Sequence, residues 1–178
     1  MRMIAHSAFL AALLLAASTS AADDPEDELK AAVVLSFVRY TDWPANVGGT
    51  ISIGIRGRPE FGQLLSRTLD GRTAGARHIK VFPLRTPADA NGCQILYLAS
   101  ARTADVEDFL KAPQAAHALI IGEANHFLDD GGAIELMLVD GHMSFEVALP
   151  VVERLGLNIS SKLLRFGQIR NASGGRMP

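Results

Sequence analysis

Apolar positions along this chain of 178 residues change their period repeatedly, and each change marks an element. Asp24 is a helix-capping residue and Pro25 suits a first helical position. Leu29, Val33, Phe37 and Tyr40 then recur at helical spacing until Pro44 forbids continuation, which predicts a first helix. After a turn at Asn46–Gly49, the run Ile51–Ile55 reads as a strand. Pro59 then opens a helix with Phe61, Leu64, Leu65 and Leu69 on one face, ended by Gly71. Ile79–Leu84 is a second strand and Gln94–Ala99 a third. Thr103 caps a helix that turns Val106, Phe109 and Leu110 inward, and His117–Glu123 is another short apolar strand. The stretch from Ala133 to Leu149 holds two strand-like runs joined at Asp140 and Gly141, a dipeptide suited to a tight hairpin. Pro150 begins a short helix that Gly156 ends. Ser160 or Ser161 caps a last helix with Ile159, Leu163, Phe166 and Ile169 buried.

Strands such as Gln94–Ala99 and Ala118–Ile121 are apolar on both faces, so helices must cover both sides of their sheet. The expected fold is α/β, a three-layer α/β/α sandwich around a mixed, mostly parallel sheet; the hairpin forces the antiparallel part. Before it, Arg2, the apolar stretch Ala8–Ala17 and the small residues Ser20, Ala21 and Ala22 read as a cleaved signal peptide over residues 1–22, too short in its apolar part to span a bilayer. Residues 23–170 form a single domain, and 171–178, rich in Gly and Ser, a flexible tail. Export through this signal implies the periplasm.

A formal net charge of −2 with scattered basic residues leaves no electrostatic footprint for nucleic acid. Cys93 is the one cysteine, so no internal disulfide can form. Its place at the head of an apolar run makes it a small buried hydrophobe. Gly54, Gly57 and Gly62 sit at a strand-to-helix turn without the spacing of a nucleotide-binding loop. His78, His117, His126 and His142 include no pair four residues apart, and Ser160, Ser161 and Lys162 lack the spacing of a serine–lysine enzyme. Glu135 and Glu146 lie on strands that can face each other, though sequence alone does not bring them into one pocket. No catalytic residue, metal ligand or cofactor is assigned.

Two blocks remain: Phe37–Pro44 (FVRYTDWP) and Met143–Gly167 (MSFEVALPVVERLGLNISSKLLRFG). With Gly92–Ser100 (GCQILYLAS) and the pair Gly131 and Gly132 before AIELML, they resemble the signatures of the YfiR family across nearly all of the chain after residue 28. The resemblance implies a periplasmic regulator, not an enzyme. Its expected partner is the periplasmic part of an inner-membrane diguanylate cyclase, which it holds inactive, lowering cyclic-di-GMP and biofilm formation. An outer-membrane protein that sequesters the regulator and a second copy of the chain are further partners it allows. Where the family has "FeIN", this chain has Phe145, Glu146, Val147 and Ala148, so a contact made by that Asn is absent. A different class of reading is a periplasmic small-ligand-binding or sensor protein using the crevice at the strand ends.

Partner-binding candidates are Lys162, Arg165 and Arg170, a basic ridge outside the apolar stripe of the last helix, and Trp43, which either closes the core or anchors a partner. The mature protein is expected to start near Asp23. N-terminal sequencing of the periplasmic fraction checks this, and full-length chain in the inner membrane would contradict it.

Overall fold

A computed structural model describes residues 24–112, 115, 117–171 and 176–177. Residues 1–22, expected to be a signal peptide, lie outside them. Helix α1 (Pro25–Tyr40) precedes the strands β1 (Thr41–Asp42) and β2 (Thr50–Gly57). Then follow α2 (Pro59–Leu69), β3 (Thr73–Ala74), β4 (Arg77–Pro83), β5 (Ile95–Ala99), α3 (Glu107–Leu110), β6 (Leu119–Gly122), β7 (Ile134–Val139) and β8 (His142–Ala148). The chain continues through α4 (Leu149–Arg154), β9 (Asn158–Ile159), α5 (Ser161–Leu164), β10 (Gln168–Arg170) and β11 (Arg176–Met177).

Among the described residues, nine strands form one sheet in the order β11-β10-β8-β7-β6-β5-β2-β4-β3. From β4 to β7 its neighbours are parallel, and the β7–β8 hairpin reverses the direction. The sandwich is three-layered because alternate strand residues feed two cores. Ile95 and Tyr97 of β5, with Leu119 and Ile121 of β6, join α1, α2, α4 and α5 on one face. Leu96, Leu98 and Ile120 join Phe109 and Phe127 on the other. This α/β/α arrangement is the one that the doubly apolar strands demand.

Local chemistry explains most boundaries. Asp24 accepts from the Glu26 amide and Pro25 fills the first helical turn of α1. All four apolar residues expected on α2 are buried. Asp140 and Gly141 take positive φ values of 49° and 76°, those of the two-residue turn that matches the twist of a hairpin. The Leu157 amide reaches the Val152 carbonyl around Gly156, whose φ of 69° ends α4 in a Schellman turn. Gly132 is required for a different reason: a Cβ there would lie 2.2 Å from the Phe127 ring, which packs directly on its backbone.

Three expectations are corrected. On α1 the buried stripe is Asp27, Lys30, Ala31, Val34, Phe37 and Val38, while Leu29 and Tyr40 are exposed. The helix also stops at Tyr40, four residues before the proline, because Thr41 turns extended to pair with Ile159. The last helix is one turn, α5, after which Gln168–Arg170 pairs with β8; Phe166 is therefore 66% exposed and Ile169 only half-buried. Arg176–Met177 pairs antiparallel with β10.

Cys93 is buried in the same core as Leu96 and Phe109, with its thiol 3.7 Å from the Asp89 carbonyl, and burial pushes its pKa up to about 11. Such a thiol is protonated and shielded at neutral pH. Cys93→Ala is expected to lower stability by about 1 kcal/mol, read by urea denaturation, and the native thiol should label slowly with iodoacetamide. Labelling as fast as in the unfolded chain would contradict a packing role.

Candidate functional site

The two blocks singled out in the sequence meet in space. Thr41 and Asp42 pair antiparallel with Ile159 and Asn158, the Ser160 amide donates to the Tyr40 carbonyl at 2.8 Å, and the Asn158 amide donates to Asp42 Oδ2 at 3.0 Å. Beneath this clasp the Phe37 and Phe145 rings meet edge to face, with centroids 5.1 Å apart. Trp43 stands at its edge, half-buried against the main core, and its indole N–H donates to the Val38 carbonyl at 2.9 Å. That bond satisfies one of the carbonyls left open at the end of α1. Arg77 donates to the carbonyls of Trp43, Pro44 and Gly48 and fixes the loop that follows.

Next to the clasp, Ser160 caps α5 by accepting from the Lys162 amide. Lys162 and Arg165 are exposed, and neither has a carboxylate partner among the described residues. The Arg165 guanidinium lies 4.9 Å from the centroid of the exposed Phe166 ring. The structure thus exposes, against Arg165, an aromatic ring that the sequence reading had placed inside.

Arg170 is situated differently. It belongs to β10, and its guanidinium donates to Glu146 at 3.2 and 3.4 Å and to Asp129, so it is not part of a helical ridge with the other two. The bond to Glu146 raises the guanidinium's pKa and its own burial opposes this. Glu146 and Glu135 are direct cross-strand neighbours, and Glu135 Oε2 is buried without a hydrogen-bond partner among the described residues. Arg170 thus offsets carboxylate charge that β7 and β8 bring under cover. Ala148 occupies the N-cap position of α4 and leaves it without a side-chain cap.

A second polar centre was missed by sequence reasoning. At the carboxyl edge of the parallel strands, Lys30 Nζ lies 2.7 Å from both Glu123 and Glu26 and 3.8 Å from Asp27. Arg58, just past β2, binds both oxygens of Asp27 at 2.8 and 2.7 Å, and the buried Tyr97 hydroxyl donates to Glu123 at 2.6 Å. Burial depresses the Lys30 pKa, but bonds to Glu123 and Glu26 more than reverse that, leaving it above the usual lysine value. Burial, then the adjacent Glu123 charge, raises Tyr97 well above the ordinary tyrosine range. The signal was present in the sequence: counting back from Phe37 in helical steps reaches Val34, Lys30 and Asp27, a stripe whose two charges made it look solvated.

The comparisons with known proteins follow the fold. The YfiR/HmsC-like family model matches residues 27–168. A conserved domain protein from Vibrio cholerae is similar in structure at a TM-score of 0.52 and 12% identity, over 80% of this chain and 59% of that one. The ABC domain of a Streptococcus pneumonia protein in complex with L-Trp is similar at 0.51 and 8% identity, over 80% and 61%. The chain thus spans about three-fifths of each structure, and at such identities the likeness is one of fold. No curated protein matches it.

Lys30→Ala leaves buried carboxylates uncompensated and should destabilise by about 3 kcal/mol or more in urea denaturation. Lys30 and Tyr97 both hold their protons more tightly folded than unfolded. Their contribution is therefore complete below pH of about 10 and is lost as pH rises through the raised values. The urea midpoint should fall in that alkaline window, and less steeply in Tyr97→Phe; identical slopes would contradict the assignment.

Proposed function

Because the chain belongs to the YfiR/HmsC-like family, whose members are periplasmic regulators in cyclic-di-GMP signalling, we propose that it restrains an inner-membrane diguanylate cyclase by binding that enzyme's periplasmic part. No helix among the described residues is long and apolar enough to cross a membrane. The observation that supports a docking role most is the exposed Phe166 with Lys162 and Arg165 beside it. An exposed apolar ring against Arg165, with Lys162 exposed on the preceding helical turn, suits a partner surface with an acidic rim and an apolar pocket: the ring supplies affinity, and the charges supply orientation and association rate. Trp43 lies on the neighbouring side of the clasp and could extend the contact only by its exposed edge.

Restraint by binding requires a difference in affinity. The regulator must hold the inactive receptor state more tightly than the active one, since equal affinity shifts nothing. An outer-membrane protein that competes for the same surface would lift the restraint by mass action. A second copy of the chain on that surface would do the same.

The test is cellular cyclic-di-GMP in a deletion strain complemented with the wild type, with Lys162→Glu/Arg165→Glu, or with Phe166→Ala. Deletion should raise the dinucleotide, the wild type should lower it, and both variants should fail partly while melting normally, because exposed charges add little to stability. No rise on deletion would remove the cyclase from the account, whereas full complementation by both variants would remove this surface.

A further inference from the structure

We propose that a cavity bordered by Arg58, between the ends of β2 and β4 and α2, binds a small organic anion with an apolar body, a role separate from partner docking. The cavity encloses about 600 Å³ between the carboxyl ends of β2 and β4 and the side of α2. Its apolar wall includes Ile55, Pro83 and Leu84, and Arg56, Arg58 and Arg67 also line it. No Asp or Glu does. A volume in this range accommodates a small molecule, and the carboxyl edge of parallel strands is where open α/β sheets place their ligands.

The charge balance selects the sign of the ligand. Arg58 is matched by the bidentate Asp27, but Arg56 has no carboxylate partner among the described residues. Its Nη1 makes only long contacts, 3.5 Å to the Leu84 carbonyl and 3.4 Å to that of Arg85, and its Cζ lies 5.2 Å from the Phe109 ring centroid. A guanidinium held by a ring and two stretched carbonyl contacts keeps donors for a better acceptor, and a carboxylate or phosphate meets that fork with two short bonds. The surrounding apolar wall lowers the local dielectric and strengthens that attraction, while rewarding a ligand whose other end is apolar. Cations are disfavoured by the same charges, and a fully polar anion would leave the wall unfilled.

The experiment titrates the ¹⁵N-labelled mature chain with octanoate and 2-naphthoate, beside octylamine and 2-naphthylmethylamine, which carry matched bodies and opposite charge. The expected result is saturable movement of the Gly57 and Gly62 amide resonances by the acids, with dissociation constants below about 1 mM, and none by the amines. Arg56→Gln/Arg67→Gln should weaken the acids by about tenfold or more without changing resonance dispersion. No acid-dependent movement, equal movement by the amines, or undiminished binding by a folded variant would overturn the proposal. The acid-against-amine comparison uses the unaltered chain and decides the matter even where the variant unfolds. The deletion assay for cyclic-di-GMP is indifferent to this outcome, so either role can fail alone.

Discussion

The burial of the Lys30 ammonium between Glu26 and Glu123 is the constraint on which the arrangement of this molecule depends. A helix that precedes every strand could slide or roll over an apolar sheet with little penalty, since hydrophobic contact is non-directional. Lys30 and Asp27 remove that freedom. They sit on the buried stripe of α1, and beyond the helix itself their partners lie just past β2 and β6, in Arg58 and in Glu123, which the Tyr97 hydroxyl of β5 also holds. Such a network adds little net stability over an apolar replacement, but every register that breaks it strands a buried charge. Position is what it supplies.

The opposite end of α1 is held by another means. Thr41 and Asp42 leave the helix as a strand and pair with Asn158 and Ile159, while Phe37 meets Phe145 below. Segments more than a hundred residues apart thereby become one structural unit, on which α5 and the exposed Phe166 are carried. A surface built on a clasped, ion-anchored helix is held in place before a partner arrives, so less ordering remains to oppose binding. The same anchoring links α1 to Arg58, which borders the arginine-lined cavity.

Much of this was legible in the sequence where one period dominated. The α2 stripe, the doubly apolar β5, the hairpin turn at Asp140 and Gly141 and the end of α4 at Gly156 all follow from local rules, and the resemblance of the two terminal blocks led to the right family. The failures share a cause, which is that tertiary pairing overrode a local pattern. Lys30 and Asp27 are buried because distant residues balance them, so hydropathy alone chose the neighbouring stripe through Leu29. Phe166 is exposed because strand pairing of Gln168–Arg170 with β8 cuts α5 to one turn, and Arg170 turns from surface cation to partner of Glu146 for the same reason. Two-residue strands such as β1 and β9 carry no periodicity to detect.

The central claim, that α1 is fixed on the sheet at both ends, is tested most directly by native-state hydrogen exchange read by mass spectrometry in low urea. The account predicts that amides of residues 30–40 exchange only through the same global opening as those of β5, with one free energy and one dependence on urea. Exchange of α1 through a separate, lower-energy opening while β5 remains protected would contradict it.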